Sequence, residues 1–174
     1  MQILLDSPTL AERIEELAGD IVADYAHSAP VFVGVLNGAV EFMMRLMREF
    51  PPDFSASVEY DFVDVSSYDG RSSRGKVEIL RHVSIDIADR DVIVVDGIVD
   101  TGLTLNQLLA VLKVHGPRSV KVCSLLNKPA RRKCPVAIDY QGFEIGEHFV
   151  VGFGMDYEQR FRCLPHVAVF DATS

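Results

Sequence analysis

The stretch Val92-Ile93-Val94-Val95-Asp96-Gly97-Ile98-Val99-Asp100-Thr101-Gly102-Leu103-Thr104 decides how the rest of the chain is read. Four consecutive β-branched apolar residues mark a strand buried on both faces, and Leu103 to His115 reads as a helix ending near Gly116-Pro117. A strand that passes through a short loop into a helix leaves free backbone N–H groups at the helix start, where the helix dipole also favours negative charge. Thr101 and Thr104 add hydroxyls there, and Gly102 lets the backbone approach a ligand closely. The dipole alone is worth only about 0.3–1 kcal/mol, so several convergent donors are needed to hold a phosphate. Asp96 and Asp100 flank this anion site and would repel a bare phosphate. Their presence suits a ligand that also offers hydroxyls, a bound cation or a removable proton, and a sugar phosphate with Mg²⁺ meets that description. Taken alone, the segment leaves a plainer alternative open: Asp100 caps the helix and Asp96 ends the strand.

The same grammar extends in both directions. Thr9 and Glu12 fit a capping box ahead of Leu10, Ile14, Leu17, Ile21 and Tyr25, which recur at helical spacing. Val31 to Leu36 is an apolar run ending at Asn37-Gly38, a buried strand and a turn. Ala39 to Phe50 reads as a helix stopped by Pro51-Pro52, and residues 57–65 as a strand. Val77 to Leu80, Val120 to Leu126, Val136 to Tyr140, Phe149 to Val151 and Val167 to Phe170 read as further strands. Between two of them, Ser66 to Lys76 is small, polar and glycine-containing, the composition of either a disordered segment or a functional lid. Strands alternating with amphipathic helices predict an α/β fold with a mostly parallel central sheet flanked by helices. Ligands in such sheets bind beyond the carboxyl ends of the strands, which directs attention to Leu36-Asn37-Gly38, Asp96 to Thr104, Leu126-Asn127-Lys128 and Val150 to Asp156.

The 174 residues are expected to form a single domain, 1–174, and a chain of that size buries roughly 70% of its unfolded surface without a structural metal or crosslink. Against 25 acidic residues stand 17 basic ones, a net charge of −8, which counts against binding nucleic acid through phosphates. Cys123, Cys134 and Cys163 lie 11 and 29 residues apart without a C-x-x-C pair, so reduced thiols in a cytoplasmic protein are expected. No apolar run reaches the roughly 18 residues of a membrane span, and the first residues lack the pattern of a secretory signal.

Other phosphate and metal signatures fail. No G-x-x-x-x-G-K-[ST] occurs, and Gly152-Phe153-Gly154 is followed by Tyr157 where a dinucleotide fingerprint needs its third glycine. His27, His82, His115, His148 and His166 form no zinc-ligand spacing and read as surface or core residues. A haloacid-dehalogenase-like phosphatase would need a second Asp two residues after Asp96, where Ile98 stands.

The strand, acid and Asp100-Thr101-Gly102-Leu103-Thr104 together resemble the loop that binds phosphoribosyl pyrophosphate in type I phosphoribosyltransferases. Leu126 to Arg132, Phe149 to Tyr157 and Arg160 to Pro165 are similar to the purine-binding part of hypoxanthine-guanine phosphoribosyltransferases, and Ser67-Tyr68 to the start of that family's catalytic loop. The likeness runs in order from about Val31 to Phe170. It implies a small hood region beside the main sheet, and salvage of hypoxanthine or guanine by transfer of a 5-phosphoribosyl group to N9.

The same resemblance implies roles for single residues. Asp100 matches the acid facing purine N7 as general base, Thr101 to Thr104 the cradle of the 5′-phosphate, and Asp96 an acceptor for the ribose hydroxyls. Lys128 matches the donor to O6, where an adenine amino group would set donor against donor. Phe149 would stack on the base, Val150 would offer its backbone to the purine edge, Asp156 with Asp96 would hold Mg²⁺, and Arg162 would meet pyrophosphate along with Asn37 and Gly38. Arg131 and Arg132 are expected to be surface charges or subunit contacts, in a homodimer or homotetramer.

Two positions depart from the pattern. The family's pair of adjacent acids is here Asp96-Gly97, and Asn37 replaces the usual cation before Gly38. A lost charge-assisted hydrogen bond is worth about 1.5–3 kcal/mol, so the grip on ribose and pyrophosphate is weakened. Three readings follow: a transferase with altered kinetics, the same fold on another substrate, or a purine-nucleotide-binding sensor or regulator. Retention of Asp100, Asp156 and Arg162 favours catalysis.

Overall fold

The architecture comes from a computed structural model that describes residues 1–67 and 77–171. Its centre is a six-stranded sheet formed by β2 (Val31–Leu36), β3 (Glu59–Ser67), β4 (Val77–Arg81), β5 (Asp91–Val99), β6 (Ser119–Asn127) and β7 (Tyr140–Glu144), in the order β4-β3-β2-β5-β6-β7. All neighbours pair in parallel except β3 and β4. Period-2 alternation divides each strand between two cores. Phe32, Ile93, Val95, Cys123 and Leu125 face α1 (Ser7–Asp24) and α2 (Val40–Arg48), while Val31, Val33, Val92, Val94 and Val122 face Leu105, Leu108 and Leu112 of α4 (Leu103–Val114). A four-residue helix, α3 (Pro52–Ser55), follows the proline stop after α2.

A second sheet of three antiparallel strands, β1 (Gln2–Leu5), β9 (Val167–Val169) and β8 (Val150–Val151), is the hood implied by the resemblance. Four expectations change here. The first helix starts at Ser7, capped by Asp6, whose carboxylate accepts the Thr9 N–H at 2.9 Å, so the Thr9–Glu12 capping box is three residues late. β1 was not expected, because four residues give too little pattern to read. The strand expected at Val136 to Tyr140 begins only at Tyr140, since pairing with Cys123 to Asn127 sets its register. β5 runs on through Asp96 to Val99, so the loop that follows begins at Asp100. The segment Tyr68 to Lys76 lies outside the described residues.

Because β3, β2, β5, β6 and β7 are parallel, their carboxyl ends share one rim, and the Asn37-Gly38, Asp100 and Lys128 segments all leave the sheet there. On the β3 side, Asp61 ties the segment after β4 to the sheet. Its buried carboxylate accepts from the Ser84 N–H and hydroxyl (both 2.6 Å), the Phe62 N–H (2.7 Å) and Arg81 (2.8 Å). Burial pushes this carboxyl up, but Ser84, the Phe62 N–H and Arg81 outweigh it and hold it below its usual value. A depressed folded-state pKa contributes stability that is complete above about pH 4 and lost as pH falls through the folded value. Asp61→Asn is therefore expected to cost about 2–3 kcal/mol at pH 7 in urea unfolding, a deficit that shrinks toward pH 2–3. A deficit that stays constant over this range would refute the assignment.

Candidate functional site

β5 hands the chain to α4 through Asp100-Thr101-Gly102. Asp96, Asp100, Thr101, Gly102 and Thr104 line one cavity of about 100 Å³ at the sheet rim. Gly102 is the residue that opens α4 and has no side chain to cap it, and among the described residues no α4 N–H donates to the Asp100 carboxylate, so Asp100 is free of the capping role left open by the sequence. The first intrahelical bond runs from the Asn106 N–H to the Gly102 carbonyl, and the Leu103 N–H reaches the Thr101 hydroxyl at 3.4 Å. Among the described residues the N–H groups of Thr104 and Leu105 find no acceptor, which leaves them for an anion. Gly102 itself has a different reason from the one expected. Its φ is +80°, and a Cβ there would press on Val136, Arg132 and the Cys134 carbonyl at 3.0–3.1 Å. The close approach is to protein, not ligand.

Asp100 looks away from the helix toward two cations. Its Oδ2 lies 4.0 Å from Lys128 Nζ, and its Oδ1 lies 2.9 Å from Arg131 Nε. The Arg131 contact is poorly aligned, and buried Oδ1 has no hydrogen-bond donor. An acceptor without a donor is suited to a proton-bearing ring nitrogen. Lys128 is almost fully buried, and Nζ makes no hydrogen bond among the described residues. Burial, reinforced by the Arg131 charge, pulls its pKa down, while Asp100 pulls it back up.

Arg131 is exposed, as a surface charge would be, and Arg132 is half-buried, but both are anchored at the rim. A short 3₁₀ turn, Pro129–Arg131, folds Arg131 back onto Asp100, and Arg132 donates to the Asn127 side chain. Asn127 in turn donates to Gln141 at 2.7 Å. The Lys-Pro pair that starts the turn was the available sequence signal; the partner lies 31 residues away and left none.

The hood brings a second group to the rim. Phe149 is about half exposed, held edge-on by Tyr157 (5.9 Å) and Phe170 (6.1 Å), which leaves a ring face open for stacking. The Phe170 N–H donates to the Phe149 carbonyl at 2.9 Å, so the alternation of an antiparallel ladder turns the N–H and carbonyl of Val150 away from β9 to the open edge of β8. Asp156 pairs with Arg162 at 2.8 Å and accepts the Gln159 N–H at 2.9 Å. Arg162 also donates to the Gly154 carbonyl and the Gln159 side chain, leaving two of its five N–H groups for an anion.

Asn37 is exposed at the end of β2, and Gly38 packs against both Gly97 and Gly154, which joins the first loop to the Asp96 and Asp156 segments. Ser67 ends β3, paired with Val77; Tyr68 lies outside the described residues.

Asp96 is desolvated at the rim. Burial raises its carboxyl to about 6, against weak help from the Ile98 and Gly97 N–H groups. Asp96 and Asp156 are hard oxygen donors, and among the described residues no three His, Cys, Asp or Glu side chains converge into a metal cage. Such a donor set fits Mg²⁺, which keeps waters and shares one or two carboxylates with substrate phosphates, and does not fit zinc.

A family model of the phosphoribosyl transferase domain matches residues 1–158. The hypoxanthine-guanine phosphoribosyltransferase of Bacillus subtilis is 34% identical over 169 residues, 97% of this chain and 92% of that protein. The hypoxanthine phosphoribosyltransferase of Escherichia coli is 38% identical over 170 residues, 96% and 93%. A bifunctional TilS/HprT protein of Listeria innocua is 38% identical, but this chain spans 26% of its length. The crystal structure of a hypoxanthine-guanine phosphoribosyltransferase from Bacillus anthracis superposes with a TM-score of 0.92 at 35% identity, covering 98% of this chain and 99% of that one. The chain belongs to the phosphoribosyltransferase family, in its hypoxanthine-guanine branch.

The raised carboxyl of Asp96 has a measurable sign. A folded-state value above the unfolded one means stability falls as pH rises from about 4 to about 6, by at most about 3 kcal/mol. Asp96→Asn is expected to remove that slope and to unfold at higher urea than wild type at pH 7. Equal slopes in the two proteins would show that the carboxylate is well solvated.

Proposed function

We propose that the chain, acting as one domain over 1–174, transfers the 5-phosphoribosyl group of phosphoribosyl pyrophosphate to N9 of hypoxanthine or guanine. The carrying observation is Asp100: one carboxylate stands between the open amide donors of α4 and the buried ammonium of Lys128. The C1′–O bond to pyrophosphate breaks as the N9–C1′ bond forms, through an oxocarbenium-like state. Asp100 takes the proton from N7, and Lys128 donates to O6. Thr101, Gly102, Leu103 and Thr104 hold the 5′-phosphate, and Asp96 accepts from the ribose hydroxyls. Phe149 stacks on the base, while Val150 meets its edge through the open side of β8.

Asn37, Gly38 and the free N–H groups of Arg162 face pyrophosphate. Asp156 and Asp96 would hold Mg²⁺, which would supply positive charge to offset that of the leaving pyrophosphate. The protein works in the cytoplasm as a homodimer or homotetramer. Asn37 and Gly97 point to altered kinetics.

The test supplies phosphoribosyl pyrophosphate and Mg²⁺ with hypoxanthine, guanine and xanthine in parallel. Inosine or guanosine monophosphate is expected, with the rate reduced at least tenfold by Asp100→Ala. No nucleotide with any of the three bases, from a folded wild-type protein, would overturn the proposal and favour a nucleotide-binding regulator.

A further inference from the structure

The Gly38 carbonyl oxygen lies between two glycines from distant parts of the chain. A Cβ added at Gly97 would stand 2.6 Å from that oxygen and 3.0 Å from its carbon; one added at Gly154 would stand 2.3 and 3.3 Å away. Both distances are far inside van der Waals contact, and the obstacle is backbone, which cannot swing aside as a side chain would. Each glycine turns a Cα–H toward the oxygen in place of a side chain. The two positions differ in one respect. Gly154 has φ +95°, so a side chain there is strained in any case, whereas at Gly97 the principal obstacle is the Gly38 carbonyl.

The peptide between Gly38 and Ala39 is thereby held at both ends. Its carbonyl sits on Gly97 and Gly154, and its N–H donates to the Val35 carbonyl at 3.1 Å. The Asn37 carbonyl accepts the Val40 N–H at 3.3 Å. The Gly38 N–H has no acceptor among the described residues. It is the donor this turn offers to a ligand, now that residue 37 carries no charge.

We infer that Gly97, with Gly154, is a positioning residue: it seats the Gly38 carbonyl and so fixes the turn whose Gly38 N–H, with no acceptor of its own among the described residues, is left for the pyrophosphate. The missing second acid at position 97 is then not an empty place in which a carboxylate restores activity. Asn37 and Gly97 become parts of one arrangement, in which a backbone donor held by close packing replaces a side-chain cation. This inference rests on the proposed reaction for the identity of the ligand, but not for the seating itself.

The experiment compares wild type, Gly97→Ala and Gly97→Asp as full chains, reading melting temperature, binding of inorganic pyrophosphate with Mg²⁺ by calorimetry, and steady-state kinetics. A displacement of about 1 Å costs up to roughly 100-fold in a positioned site. Both variants are expected to bind pyrophosphate at least tenfold more weakly and to raise KM for phosphoribosyl pyrophosphate by a similar factor. KM for the purine should stay within about twofold, and melting within a few degrees. A purely structural role would lower stability and both KM-linked affinities together, and that pattern overturns the inference. So does a Gly97→Asp variant that equals or exceeds wild type.

If wild type makes no nucleotide, the proposed reaction fails, while the pyrophosphate arm still decides whether Gly97 positions the turn. A crystal structure of the wild-type chain gives a check that needs no variant: a Gly38 carbonyl turned away from Gly97 sinks the inference.

Discussion

Parallel pairing of β3, β2, β5, β6 and β7, with apolar side chains filling both faces, is the constraint on which the rest of the molecule depends. A sheet covered on both sides by helices has only its rims open to solvent, and parallel strands put every carboxyl end on the same rim. That places the Asn37-Gly38 turn, the Asp100 loop and Lys128 side by side, although they lie about 30–90 residues apart in sequence. The hood adds Phe149 to Arg162 from the other side through strands that belong to a different sheet.

At that rim the carboxylates occupy opposite environments. Asp96 is desolvated and resists ionisation, while Asp100 lies within ion-pair distance of two cations yet keeps one oxygen without an aligned donor. Lys128 is a buried cation with no hydrogen bond in the described structure. Each arrangement costs folding stability, and each makes sense if a ligand supplies the missing partner. Arg131 links these groups, since it pairs with Asp100 and lowers the Lys128 pKa.

The two departures from the family pattern meet at one point of the structure. Asn37 removes a positive charge beside Gly38, and Gly97 removes a negative one against the Gly38 carbonyl. One charge of each sign is absent, so the formal charge of this corner is unchanged, and the Gly38 carbonyl packs directly against Gly97.

Local pattern carried the helices, the buried strands and the loop between β5 and α4, because hydrophobic period and turn chemistry act over a few residues. Val92 to Thr104 needed no tertiary knowledge to be read as strand, loop and helix. The cap at Asp6, the start of β7 and the extension of β5 escaped by three or four residues, since pairing register and capping geometry decide such boundaries. Lys128 and Phe149 stood out in the sequence only beside the other family segments, because a lone lysine or phenylalanine has no local mark of function, whereas Asp100 was marked by its place at the start of a helix. Tertiary structure alone decided that Arg131 faces Asp100, that Gly102 exists for packing, and that Gly38 rests on two glycines. Those are contacts between segments far apart in the chain, fixed by sheet register and by how closely two backbones can pack, and neither leaves a trace in the order of nearby residues.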